Sequence, residues 1–178
     1  MPFGDPEIEC ACGAHGCWGT AVDGTALARH LGDPPPRDPI TYARRVIAAA
    51  TRTHQPTQPS ITSAAGTVTI SPYSSGEPGP DINPQAALAA VEAVGTALGR
   101  GIAGLVNALD PDLVTLGGIG PDLLTAVPES ITAAYQNGLM SIHRDSPPLV
   151  LPATLPDDEG PIVGAAEEAW AALLPHLT

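Results

Sequence analysis

The stretch Cys10-Ala11-Cys12-Gly13-Ala14-His15-Gly16-Cys17 holds every cysteine of the chain within eight residues. Thiolates separated by one and by four intervening residues can turn inward onto one tetrahedral ion. Gly13 and Gly16 supply the positive-φ turns that so tight a loop requires. The donor set and spacing point to zinc held by Cys10, Cys12 and Cys17. Three free buried cysteines are the plain alternative. A disulfide framework fits worse, because an odd count leaves one thiol over and C-x-C neighbours are sterically poor partners. A closed zinc site takes four donors, so either His15 folds back or the fourth ligand lies elsewhere in the chain or upstream of Met1.

The elements that must carry this loop follow from periodicity and punctuation. After Cys17, Val22, Ala26, Leu27 and Leu31 recur at helical spacing up to a stop at Gly32 and Pro34-Pro35-Pro36. His30 then lies at a helix C-terminus, where its charge is favourable. A second helix is predicted from about Pro39 to Arg52, with Tyr42, Val46 and Ile47 inward and Arg44 and Arg45 toward water. Residues 54–83 change character, rich in Pro, Ser and Thr, with only Gly66-Thr-Val-Thr-Ile70 alternating as a strand would. This segment, which contains His54 and Tyr73, reads as a long loop or insertion without chemistry of its own.

Asn83-Pro84 forms an N-cap and first helical residue. The longest helix follows, with Leu88, Val91, Val94, Leu98, Ile102, Leu105, Val106 and Leu109 on one broad face that needs burial. Gly95, Gly99, Gly101 and Gly104 each weaken it by ~1 kcal/mol unless a neighbour packs at close backbone approach, and a sheet or a second copy of the chain is the expected neighbour. Asp110-Pro111 ends the helix. Leu113-Val-Thr-Leu116 is a short buried strand running into Gly117-Gly118, and a helix with Leu123, Leu124 and Val127 is continued or kinked at Pro128 as far as Gly138. Leu149-Val-Leu151 is the last strand, and Asp157-Asp-Glu-Gly160 is a solvated turn before a closing helix. Helix, strand, glycine turn, helix is the order of an α/β layer, and open α/β sheets bind ligands at the carboxyl ends of their strands.

Composition narrows the function classes. A net charge of −12 disfavours nucleic-acid binding by this chain alone. All seven basic residues are arginine, so no lysine can act as a base or Schiff-base nucleophile. No charged n-region precedes an apolar run and no uninterrupted 18-residue apolar run occurs, which predicts neither signal peptide nor membrane span and a cytoplasmic setting where thiols stay reduced.

Two stretches resemble the ROK family of bacterial sugar kinases and sugar-responsive transcriptional regulators. Cys10-x-Cys12-Gly13-x-x-Gly16-Cys17-Trp18 is similar to the family's zinc loop. The run from Gly99 through Asn107-Ala-Leu-Asp-Pro111 to Gly117-Gly118 is similar to its central helix, turn, strand and glycine pair, and Gly164-Ala-Ala166 is also ROK-like. The resemblance implies an α/β fold of actin-like ATPase (ribonuclease H-like) type, in which the chain corresponds to the C-terminal half. Residues 1–53 then form a zinc loop and two helices, 54–83 an insertion, and 84–178 the α/β subdomain. It also implies structural zinc, Gly117 and Gly118 beside the adenosine of ATP, and a small sugar as ligand, whereas the apolar face of the long helix, wider than one small sheet can cover, predicts a homodimer.

In that family the fourth zinc ligand is a His several residues before the first Cys, at or just before the position of Met1. A D-x-G-x-T phosphate motif and a catalytic Asp belong to an N-terminal half with no counterpart here. A Glu soon after the last zinc Cys contacts the sugar in ROK kinases, whereas this chain reads Cys17-Trp18-Gly19-Thr20. Without the phosphate cradle and catalytic base, kinase activity of this chain alone is not expected, and ATP is a cofactor only if the missing half is supplied. The sequence supports two readings: a truncated ROK protein inactive as a kinase alone, and a stand-alone zinc-stabilised dimerisation module without ATP or sugar binding.

Overall fold

The computed structural model describes residues 4–52, 82–155 and 159–173. The predicted insertion at 54–83 lies outside them except for Ile82 and Asn83, as do Asp157 and Asp158 of the acidic turn. Helix α1 spans Gly24–Leu31 and α2 spans Pro39–Thr51. Then come α3 (Pro84–Leu109), β1 (Leu113–Leu116), α4 (Gly120–Ala126), α5 (Pro128–Gly138), α6 (Ser141–Arg144), β2 (Leu149–Pro152) and α7 (Gly160–Leu173). The described residues form a mixed α/β structure, mainly helical, with one two-stranded parallel sheet in which Leu113 faces Leu149 and Leu116 faces Pro152.

Three helix starts are capped by side chains, that of α3 by Asn83 as the sequence predicts. Asp23 accepts from the Ala26 amide, Asp38 from those of Ile40 and Thr41, and Asn83 from those of Gln85 and Ala86. Each satisfies N–H groups that a helix leaves without intrahelical partners. Gly32 closes α1 in the left-handed region, and the αL residue Asp110 closes α3. The expected helix from 123 to 138 is two helices. Val127 leaves the helical region, and Pro128 opens α5, where its missing N–H is no loss.

Helix α3, 26 residues and about 39 Å long, is the centre of the core. Leu27 of α1, Val46 of α2, Leu123 of α4 and Ile131 of α5 are buried with its Val91, Val94, Ile102 and Val106. Full burial of each such side chain contributes about 1.5–3 kcal/mol. By length and apolar composition alone this helix could cross a membrane, but in this fold it is the core helix on which α1, α2 and α5 pack.

Among the described residues α5 of the same chain, rather than the expected sheet, covers Gly95 and Gly99, and Trp18 covers Gly101. A Cβ on Gly99 would lie 2.3 Å from the Ile131 carbonyl oxygen, and one on Gly95 would lie 2.8 Å from Val127 Cγ2. Asn107 then fastens the end of α5, donating to the Gly138 carbonyl and accepting from the Met140 amide, both at 2.9 Å.

Two burial expectations are corrected. Leu109 is 70% exposed, because the helix runs past its last neighbour there. Strand β1 is buried on one face only. Leu116 is buried and Val114 half-buried against the helices, whereas Leu113, Leu149 and Leu151 lie exposed on the outer face. The alternation of side chains along a strand produces this split.

Gly99→Ala is expected to lower stability by about 1–3 kcal/mol, because crowding against a backbone oxygen outweighs the gain in helix propensity. Gly95→Ala, which meets only side-chain ends, is expected to lose less. Urea unfolding of the two variants checks the order, and equal or raised midpoints contradict this packing.

Candidate metal centre

The loop is a small two-armed hairpin. Cys10 N–H donates to the Ala14 carbonyl at 2.7 Å and Gly16 N–H to that of Ile8 at 3.0 Å, with Glu9 and His15 paired antiparallel between them. The tip is a tight turn in which Gly13 N–H donates to the Cys10 carbonyl at 2.8 Å. Gly13 and Gly16 have φ of 83° and 66°, the left-handed turns their positions in the sequence predict. The preceding segment lies along the second arm, with Gly4 N–H donating to the Gly16 carbonyl at 2.9 Å.

This backbone gathers the three cysteines. Their sulfurs all lie within 4.8 Å of one another, and Cys12 Sγ is 3.6 Å from Cys17 Sγ. Tetrahedral bonds of about 2.3 Å to sulfur require neighbouring sulfurs about 3.8 Å apart, so the triad has the span of a mononuclear thiolate site. The donor set can hold a metal ion and suits zinc. All three thiols are free; Cys12 is exposed and Cys10 and Cys17 are half-buried, so the alternative of buried structural cysteines does not hold.

His15 does not join the triad among the described residues. In an antiparallel pair, cross-strand partners share a face and successive residues alternate between faces. His15 shares its face with Glu9, its bridge partner, rather than with Cys10.

Electrostatics within the triad favour a cation. The Ala14 amide, donating to sulfur, is the main influence lowering the Cys12 thiol below its ordinary range, with Cys10 and Cys17 adding to it. Cys17 is pushed up to about 11, first by its hydrogen bond to Cys12 and then by that to Cys10. Repulsion from charge on Cys10 and Cys12 adds to the rise at Cys17. A dication bound to them relieves that repulsion and displaces the protons.

Trp18, the residue after the last cysteine, anchors the hairpin to the core. Its indole N–H donates to the Ala97 carbonyl of α3 at 2.9 Å, and a Cβ on Gly101 would fall 1.9 Å from Trp18 Cε2. The missing side chain at Gly101 is what exposes a helical carbonyl to the ring. A 3-10 turn, Trp18–Ala21, follows, and Thr20 Oγ1 donates to the Cys17 carbonyl at 2.7 Å, fixing the last ligand's backbone. The sequence contains Trp18 and Gly101 but nothing in local spacing joins residues so far apart.

The second predicted site is placed apart from the first. Gly117 and Gly118 sit at the carboxyl end of β1, exposed, with Gly118 at φ 61° and open space where each Cβ would stand. Gly120 N–H donates to the Gly117 carbonyl at 3.0 Å, making this a tight turn into α4. The backbone is approachable there by a flat ligand, and the two sites share no element. Comparison with protein-family models, with curated proteins and with solved structures gives no match.

Zinc content should be close to one per chain and easily lost to chelators, because three thiolates supply the site. Retention is expected to fall as pH drops, since protons compete for the same sulfurs. Elemental analysis of protein dialysed across a pH series, with Cys12→Ser as control, checks this. Absence of zinc after expression in zinc-supplemented medium overturns it.

Proposed function

We propose that this chain is the zinc-bearing part of a ROK-type protein, a sugar kinase or sugar-sensing regulator of actin-like fold, and that alone it does not phosphorylate sugar. The observation that carries this reading is the convergence of Cys10, Cys12 and Cys17 on a hairpin fastened to the long helix by the very next residue, Trp18. Zinc in such a place is structural: it holds a loop that has little apolar surface to bury.

Two further features support the reading. Helix α3, the Asp110 cap, β1 and Gly117-Gly118 follow in the order the resemblance implies. Parallel strands are ordinarily covered on both faces, yet Leu113, Leu149 and Leu151 are exposed on one face of β1 and β2, as expected of a sheet that another layer of protein completes. In this proposal the glycine pair borders the adenosine of ATP only when the phosphate-binding half is present, and a small sugar is the ligand.

A second reading, a zinc-stabilised module that self-associates, is favoured by the exposed Ile162, Trp170 and Leu173 on α7, since grouped apolar residues of this kind drive association. The dimer in that case does not use the Gly99 face, which α5 occupies. A two-fold pair is the commonest closed arrangement of identical chains.

The coding sequence upstream of Met1 distinguishes the readings. The ROK reading expects an in-frame His shortly before Cys10 and a D-x-G-x-T motif further upstream. A translation start mapped to Met1 with no such frame favours the second reading. ATP-dependent phosphorylation of glucose, mannose and N-acetylated hexosamines by the purified chain is expected to stay at background, and genuine turnover refutes the proposal that it is inactive alone.

A further inference from the structure

We infer that the cysteine hairpin is a receptor for a trivalent thiophilic ion of the arsenite class, which it binds in preference to zinc. The inference rests on reading Cys10, Cys12 and Cys17 as a single metal site, and it concerns the number of bonds that site can make. Among the described residues three sulfurs, and no other Cys, His, Asp or Glu donor, form the cluster. His15 pairs through its backbone with Glu9 in the hairpin bridge, and the tip from Cys12 to His15 is exposed. Zinc seeks four donors and must fill its remaining position from outside this set.

Trivalent arsenic has the complementary requirement. It forms three bonds in a pyramid and carries a lone pair where a fourth ligand would stand, so three soft thiolates and an exposed side complete it. The cluster is also of the right size for a single ion, with all sulfurs within 4.8 Å and one pair already at 3.6 Å. Two glycine turns shape the backbone that carries them.

The exchange balances without any oxidant or reductant. Arsenous acid loses three As–O bonds and gains three As–S bonds, arsenic stays trivalent, and the oxygens leave as three waters. With free thiols the protons come from sulfur. With the zinc-loaded site three protons are taken from solvent and the zinc dication is released.

Titration of the zinc-loaded chain with arsenite, free of small thiols, tests the inference. A zinc-binding dye reads release, and native mass spectrometry reads the product. The expected result is stoichiometric loss of zinc and one arsenic in place of three protons. Cys10→Ser, Cys12→Ser and Cys17→Ser should each lose the adduct while keeping the far-UV circular dichroism of the helical core, which contains none of them.

Zinc retained under one equivalent of arsenite overturns the inference and leaves the zinc reading standing. An adduct undiminished in any single variant also overturns it, because two thiols would then suffice. Arsenic bound by a chain that never holds zinc upholds the inference and defeats the zinc reading. Failure to bind either ion defeats both.

Discussion

The contact on which this structure depends is the approach of two helix backbones at Gly99. With no side chain there, α5 comes near enough for its Ile131 carbonyl to occupy the space of a Cβ. That closeness brings Val127, Ile131 and Tyr135 onto α3 and lets Asn107 reach the last turn of α5. Tyr135 in turn donates to the Pro148 carbonyl at 2.9 Å, so the position of β2, and hence the sheet, is set through α5. Helix α3 also carries α1 and α2, and α2 is joined to α4 at the surface by Arg44 and Asp122 at 3.4 Å. An ion pair so exposed contributes little, and packing decides the arrangement.

The cysteine hairpin stands in a different energetic regime. It contributes no member of the buried core, and its tip is in water. Its order comes from a few backbone hydrogen bonds, the Trp18 anchor and the ion that three sulfurs can share. Binding and local folding are therefore one equilibrium: whatever binds only the gathered thiols stabilises the gathered form. The buried core contains no cysteine, so it is the hairpin that gains most from the ion.

Much of this arrangement is legible in local sequence. Asn83-Pro84 marks the start of α3 and Asp110-Pro111 its end, because capping chemistry acts within a turn. The cysteine cluster is legible because its ligands lie so near in sequence that glycine turns suffice to gather them. What escapes is whatever depends on distant partners. The glycines of α3 announce a close neighbour without naming it, and α5 had no signal that would pair Ile131 with Gly99. Trp18 and Gly101 are joined only by tertiary structure. The short helix α6 is only four residues long, too short for periodicity to reveal. The half-exposed strand β1 reads as buried because Leu-Val-Thr-Leu is apolar on both faces, although only one is covered. The ROK resemblance and the glycine-pair site remain proposals resting on sequence pattern and order of elements.

Helix α3 is gripped at fixed angles around its axis. Gly95 and Gly99 answer to α5, and Ala97 and Gly101 answer to Trp18, within two turns of helix. One residue added or removed there would swing everything beyond it by about 100°, turning small residues away from both partners together. This stretch is therefore closed to changes of length, and at Gly99 and Gly101 even to a single added methyl group. Any insertion that the lineage accepts has to fall outside the helix, between elements rather than within this one.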